Sequence, residues 1–477
     1  MQPIIGGLDF TQGSLTKKLL MMGWPVTLSF LLQTMHNLAD AFWLGKLGKT
    51  ALVAPTITMN IFFIALSLAM GLGMGGSTLV AQYKGAGRLA EMRRAGGQSL
   101  VLLVIAGILL SVLIFSIAAP ILRLLQTPSD AFQQTLDYMR LILVGIPFMF
   151  IYFVYQGISA GIGDTISPLR VNATTVLLNV VLDPFLIFGI GPFPQMGVVG
   201  AALATCLAQA VAAGLCLHRL FRGRQGFHLR RSDLRWNRTM TGRILKIGVP
   251  VSLGQVGSAL GFTLLLGIVN TFGSAVTAAF GIGHRIIHVA LAPAIGLSQS
   301  CATSVGQNLG ANQVRRATRS VYTSALMLGV VLLPATSLTF FFGDFISRLF
   351  VSDPEVVQYG RDLFRITSFS VFVFGFITIL MGAFRGAGHT VPFMILNMGR
   401  LWLVRVPGAY LLAKVLQLGP LGLWWAMFLS NMLTAIAGTI WFSLGTWKKA
   451  VIDSRPADDL SENPLDDDTK SEVDARG

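Results

Sequence analysis

Apolar residues in this chain come in runs rather than in stripes. Twelve stretches, each as long as the roughly 20 residues a helix needs to cross a bilayer, alternate with short polar connections. They fall at 15–43, 50–82, 94–119, 133–159, 166–190, 196–219, 241–270, 276–307, 318–343, 357–384, 390–415 and 420–446. The pattern predicts an all-α polytopic membrane protein with twelve transmembrane helices.

The connections carry the charge, and unequally. Lys84, Arg88, Arg93 and Arg94 follow the second run, and Arg315, Arg316 and Arg319 follow the eighth. The middle connection, Arg219 to Lys246, holds nine Lys/Arg against one acid, Asp233, whereas Gly189 to Val198 and Asn270 to Ala275 hold no charge. Basic loops stay on the cytoplasmic side, so both termini are expected in the cytoplasm of a bacterial-type inner membrane.

The runs also repeat. Shifting the sequence by 225 residues lays Gly23, Pro25 and Val26 on Gly248, Pro250 and Val251. The same shift lays Gly71 on Gly296, Thr78 on Thr303, Gln82 on Gln307, Gly163 on Gly388 and Thr165 on Thr390. Six spans separate the copies, so both have the same topology. This implies two six-helix lobes related by a pseudo-two-fold axis along the membrane normal, with a cavity at their interface. The expected organisation is a short N-terminus (1–14), an N-lobe (15–219), a basic linker (220–240), a C-lobe (241–446) and an acidic, disordered cytoplasmic tail (447–477).

Composition agrees and narrows the classes. Of 477 residues 53% are hydrophobic and 12% charged, with mean hydropathy +0.68; soluble domains carry about 25% charged residues. The net charge of +15 sits in short loops between spans, which topology explains better than nucleic-acid binding. Three cysteines, Cys206, Cys216 and Cys301, lie in apolar runs without metal or disulfide spacing. No Walker A, HExxH or GxSxG motif is present, so neither ATP drive nor enzymatic hydrolysis is expected. No cofactor or bound metal is expected either.

Chemistry is therefore sought in ionisable groups at membrane depth, which are costly and functional by default. Asp40 lies late in the first run and Asp183 mid-way in the fifth. Their repeat partners are Leu265 and, after small gaps, Val406, so the acids belong to the first half alone. Asn179 precedes Asp183 by one helical turn and His36 stands likewise to Asp40, so each pair shares a helix face. Asn179 and Asp183 could polarise a proton site or supply oxygen ligands to sodium. His36 could hold the Asp40 carboxylate ionised or share its proton; a packed histidine is the alternative. Gln33, Tyr138, Gln156 and Thr205 could extend the network or serve only as interhelical hydrogen bonds. Pro25 and Pro184 remove backbone donors, and Pro25 is a candidate gating kink. The second half carries the opposite sign, with His284, Arg285 and His288 in the eighth run and Arg400 and Arg405 in the eleventh. Arg285 is expected to be an inter-lobe or carbonyl-paired cation, and Arg400 to snorkel.

Several stretches together resemble the multidrug and toxic compound extrusion family over residues 15–446. They are the Pro25…Asp40 first helix, the loop ends VAQYKGAG and VGQNLGAN, GIGDT at 161–165 and Asn179-x3-Asp183-Pro184. The acids Asp40 and Asp183, without obvious counterparts in the middle of spans seven or ten, are most similar to the DNA-damage-inducible F branch. That resemblance implies a cation-linked site at Asp40, Asp183 and Asn179, with Thr205 as a weaker member. It also implies export of bulky, often cationic amphipathic drugs in exchange for protons or sodium; the expected mechanism is alternating access, with the proton favoured over sodium. The expected partners are drug-like small molecules and lipid, no nucleic acid, and the chain is expected to work as a monomer. The alternatives are a lipid-linked oligosaccharide flippase of the same helical plan and, more remotely, an intramembrane aspartyl enzyme.

Overall fold

The structure, a computed structural model, describes residues 7–48, 51, 53–223 and 227–452, with the backbone alone at position 60. Every long element is helical. The first half comprises α1 (Leu15–Gly45), α2 (Val53–Gly85), α3 (Leu89–Leu124), α4 (Phe132–Gly161), α5 (Ile166–Phe188) and α6 (Gly197–Arg222). A 3-10 turn at Arg231–Leu234 leads into α7 (Arg238–Asn270), α8 (Ser274–Gly310), α9 (Val314–Arg348) and α10 (Pro354–Ala387). The eleventh span is composite: α11 (Val391–Gly399), a π turn at Arg400–Arg405, α12 (Val406–Tyr410) and a second π turn at Leu411–Val415. The last span is α13 (Pro420–Ser443).

Ten of these helices are long and apolar enough to cross a membrane by themselves. α1 is not among them: it carries Gln33, Thr34, His36, Asn37 and Asp40 in its second half. The eleventh span is the other exception, because it is broken. The sequence pattern reads 390–415 as one regular run, and the structure corrects this. Pro407 has no N–H to close an α-helical bond, and the chain on either side widens into π turns.

The pseudo-two-fold is visible in matched packing. α1 lies on α8 as α7 lies on α2, α1 on α5 as α7 on α11, and α2 on α4 as α8 on α10. Hydrogen bonds repeat at the same 225-residue offset. Thr165 Oγ1 donates to the Met22 carbonyl at 2.9 Å, and Thr390 Oγ1 to that of Ile247 at 2.7 Å. Asn172 Nδ2 reaches the Ser29 carbonyl at 3.2 Å, and Asn397 Nδ2 that of Gly254 at 3.3 Å.

The lobes close on each other at the end where the described residues begin and finish, near Phe10 and Val451. Thr303 Oγ1 donates to the Ala160 carbonyl (3.0 Å) and Thr78 Oγ1 to the Arg385 carbonyl (2.8 Å). α2 and α8 cross where both are glycine: a β-carbon on Gly85 would collide with the Gln307 carbonyl, and one on Gly310 with that of Gln82. Gln307 Nε2 donates to the Gly161 carbonyl at 3.0 Å, while its Oε1 accepts from the Phe10 N–H at 2.9 Å. Gln82 Nε2 donates to the Gly386 and Ala387 carbonyls, both at 3.1 Å, and its Oε1 accepts from the Val451 N–H at 2.9 Å.

One expectation about the ends is thereby corrected, and the other end gains detail. The short N-terminal segment after Gly7 packs into the fold: Phe10 is fully buried, and Arg316 Nε donates to its carbonyl at 2.8 Å. The C-terminal segment does not leave the fold at 447. Trp447 is fully buried and stacks on Phe442 at 4.7 Å, and Ile452 joins the N-lobe core. Burying these apolar side chains outweighs the polarity of their neighbours in sequence; the acidic tail from 453 on lies outside the described residues. The basic linker is partly built in as well. Phe227 and Leu229 are buried, and Gln98 Nε2 donates to the Asp233 and Arg235 carbonyls.

Candidate functional site

Helical periodicity places Asn179 and Asp183 on one face of α5 and His36 and Asp40 on one face of α1; the packing of α1 on α5 makes those faces meet. Asn179 and Asp183 are each 1% exposed. The Asp40 and Asp183 carboxyl groups are neighbours: the Asn179 amide touches both, one end 3.1 Å from Asp40 Oδ1 and the other 3.5 Å from Asp183 Oδ1. Two acids held this close titrate as a pair, an arrangement suited to a single shared proton or to a cation in its place. His36 Nδ1 stands 3.6 Å from Asp40 Oδ1.

Asn179 joins the two sides. Turned so that its partners match in donor and acceptor character, its amide nitrogen donates to His36 Nδ1 (3.0 Å) and Asp40 Oδ1 (3.1 Å). Its oxygen then accepts from Thr205 Oγ1 on α6 at 3.2 Å. In the opposite orientation the nitrogen faces Thr205 Oγ1 (3.2 Å) and Asp183 Oδ1 (3.5 Å). An ionised Asp40 favours the first arrangement and a protonated one, able to donate to the amide oxygen, favours the second. Asn179 is thus positioned to respond to the charge on Asp40.

Tyr138 packs beside Leu44, Trp43 and Phe188 at the end of this cluster, within electrostatic reach of both acids. The remaining candidates are elsewhere. Gln33 is exposed and its Nε2 donates to Asn37 Oδ1 at 3.3 Å, one turn along α1. Gln156 is half-buried on α4 and makes no hydrogen bond to the acids. Pro25 is buried within α1, which runs through it as one helix. Arg285 lies one residue, about 100° of helix turn, beyond His284. It is exposed, and among the described residues it makes neither an inter-lobe nor a carbonyl pairing. Arg400 does not snorkel: it is held against Phe374 inside the C-lobe. Among the described residues no group of three His, Cys, Asp or Glu side chains could hold a metal ion.

The comparison that decides the family matches the chain twice. The MatE family description covers residues 25–185 and again 250–411, one match in each half. The chain belongs to the MatE family. Relatives of this MatE chain include the probable multidrug resistance protein YoeA of Bacillus subtilis, 28% identical over 84% of this chain and 87% of that one. Another is an FAD transporter of Shewanella oneidensis, 29% identical over 88% and 92%. Among solved structures, the outward-facing conformation of a multidrug resistance MATE family transporter superposes with a TM-score of 0.86. It is 24% identical and is covered to 99%, against 94% of this chain. This MatE protein is therefore a membrane transporter with the twelve-helix, two-lobe fold.

Reading the sequence missed what surrounds Arg405. Ser370, Ser430 and Asn431 are buried polar groups on α10 and α13. The available signal was the shift of 225 residues, which lays Thr205 on Ser430.

Proposed function

We propose that this MatE chain is a multidrug efflux antiporter coupled to an inward cation, with the proton favoured over sodium. It would export amphipathic, often cationic compounds by alternating access. The observation that carries this is the placing of half-buried Asp40 beside buried Asp183, with the Asn179 amide between them.

The pair takes one proton from the outer side; the proton cancels a charge that otherwise holds a cationic drug. Coupling requires the ion to favour one drug-binding state over another, since a ligand with equal affinity for both moves nothing. Thr205, His36 and Tyr138 hold the acids and Asn179 in register. In this reading the closed end, where residues 8–13 and 447–452 pack, faces the cytoplasm, and the coupling ion reaches the acids from the outside. The chain works in the cytoplasmic membrane.

The test is efflux of a cationic dye from proteoliposomes under a pH gradient alone and then a sodium gradient alone, for the wild type and Asp183→Asn. Transport driven by pH and lost in the variant is expected. Sodium-driven transport would keep the site and make Asn179 and Asp183 ion ligands. Undiminished export by Asp183→Asn would remove the coupling role.

A further inference from the structure

The C-lobe holds a cluster for which the acid pair has no use. Arg405, 7% exposed, donates from Nε to Ser430 Oγ at 2.8 Å and from a terminal nitrogen to Asn431 Oδ1 at 2.7 Å. Arg400 reaches the same Asn431 oxygen at 3.4 Å, its guanidinium 4.3 Å from the centre of the Phe374 ring. Asn431 Nδ2 is occupied by Ser370, at 3.2 Å from Oγ. Two cations thus converge on one neutral amide oxygen.

Local backbone geometry produces this. Five residues apart on an α-helix, two side chains point about 140° from each other. The i→i+5 bonding of the π turn Arg400–Arg405 narrows that angle, so both guanidiniums lie on one side. Among the described residues no carboxylate stands within 4.0 Å of either guanidinium, and Arg400 Nε is buried without a hydrogen-bond acceptor. Arg400 itself keeps partial exposure. On the wall lie His284, in electrostatic reach of Arg405, and the rings of His288 (4.3 Å from His284) and Phe262 (4.6 Å).

The symmetry gives this cluster its meaning. Ser430, which holds Arg405, is the repeat partner of Thr205, which holds Asn179 beside the acids. Equivalent places in the two lobes therefore carry opposite charge. Unpaired buried cations are destabilising, and an anion that accepts from both removes the repulsion and fills the orphan donor.

We propose that Arg400 and Arg405 form a binding site in the C-lobe for an anionic group, a phosphate or carboxylate carried on an apolar or aromatic body. The group can belong to a soluble organic anion or to a lipid headgroup. The site stands apart from coupling through Asp40 and Asp183 and extends the range of cargo to zwitterionic or anionic amphiphiles.

The probe pair is FMN and riboflavin, which share a ring system and differ by a phosphate. Binding to the purified full-length chain is read by flavin fluorescence, and retention of phosphatidylglycerol by native mass spectrometry. FMN should bind at least about tenfold more tightly than riboflavin, the increment of one charge-assisted contact. Arg400→Gln should erase that difference and Asp183→Asn should keep it. Arg400→Gln leaves the bonds of Arg405 to Ser430 and Asn431 intact, so the fold of the C-lobe is kept. Phosphatidylglycerol held by the wild type and lost in Arg400→Gln, with no FMN bound, would support the site and assign it to a lipid headgroup. Equal affinity for the two flavins with no retained phosphatidylglycerol, or FMN binding unchanged in Arg400→Gln, would overturn it.

Discussion

Gln82 and Gln307 perform the same exchange across the lobe interface in opposite directions. Each donates to a backbone carbonyl at the helix end of the other lobe and accepts an N–H from one terminus of the chain, Val451 for Gln82 and Phe10 for Gln307. One residue type, placed twice by the repeat, ties helix ends and chain ends into a single closure.

Replacing Gln307 by Ala leaves the Phe10 N–H and the Gly161 carbonyl without their partner. An unmet buried polar group costs about 1–3 kcal/mol, so amide exchange at Phe10 should accelerate by about tenfold or more. Mass-spectrometric hydrogen exchange reads this directly. Unchanged protection would mean that Arg316 and Asn308, which also bond the Phe10 carbonyl, suffice.

Acid should loosen the same segment through Asp9. Partial burial pushes its carboxyl up. Hydrogen bonds from Thr11 (2.6 and 2.9 Å) and the charges of Lys84 and Lys18 outweigh that and hold it below the usual carboxylate range. A lowered folded value stabilises above the unfolded pKa of about 3.9 and is lost as pH falls through the folded one. Protection of residues 8–13 should therefore hold at neutral and mildly acidic pH and drop below about pH 4. Asp9→Asn should flatten that profile.

Thr205→Ala removes the hydroxyl that steadies Asn179. The loss of one hydrogen bond, about 1 kcal/mol, should weaken the affinity for the coupling ion about fivefold and shift the pH profile of efflux without abolishing transport. Thr205→Ser should restore it. A lowered maximal rate with an unmoved pH profile would make Thr205 a packing residue only.

Trp447→Ala should lower the melting temperature of the purified protein. The side chain is fully buried on Phe442, and its Nε1 donates to the Phe442 carbonyl at 3.0 Å. Emptying such a place costs about 3–5 kcal/mol. A melting temperature within error of the wild type would show that the C-terminal segment contributes nothing to the closed end.

Much of the architecture was legible in the sequence, for identifiable reasons. Hydropathy marks spans because lipid leaves few alternatives to a helix, and glycines and glutamines at the crossing of α2 and α8 survive as a repeat because both copies meet there. The faces of Asn179/Asp183 and His36/Asp40 followed from helical period. That these faces oppose each other did not, being a property of how α1 packs on α5. Gln33 shows the limit of the same reasoning: it lies seven residues before Asp40, yet it is exposed. The π turns at 400–405 and 411–415 left no mark in hydropathy. Trp447 and Ile452 were hidden by the acidic stretch beyond them.

The closure by both ends of the chain has a consequence for biosynthesis. Gln82 is inserted early, but the N–H it accepts belongs to Val451, and Phe10 must wait for Gln307. A ribosome-bound chain therefore cannot complete this closure until nearly all of it has been translated. The six helices of the first lobe, with Asp40 and Asp183 already in place, are made before the latch that closes their end.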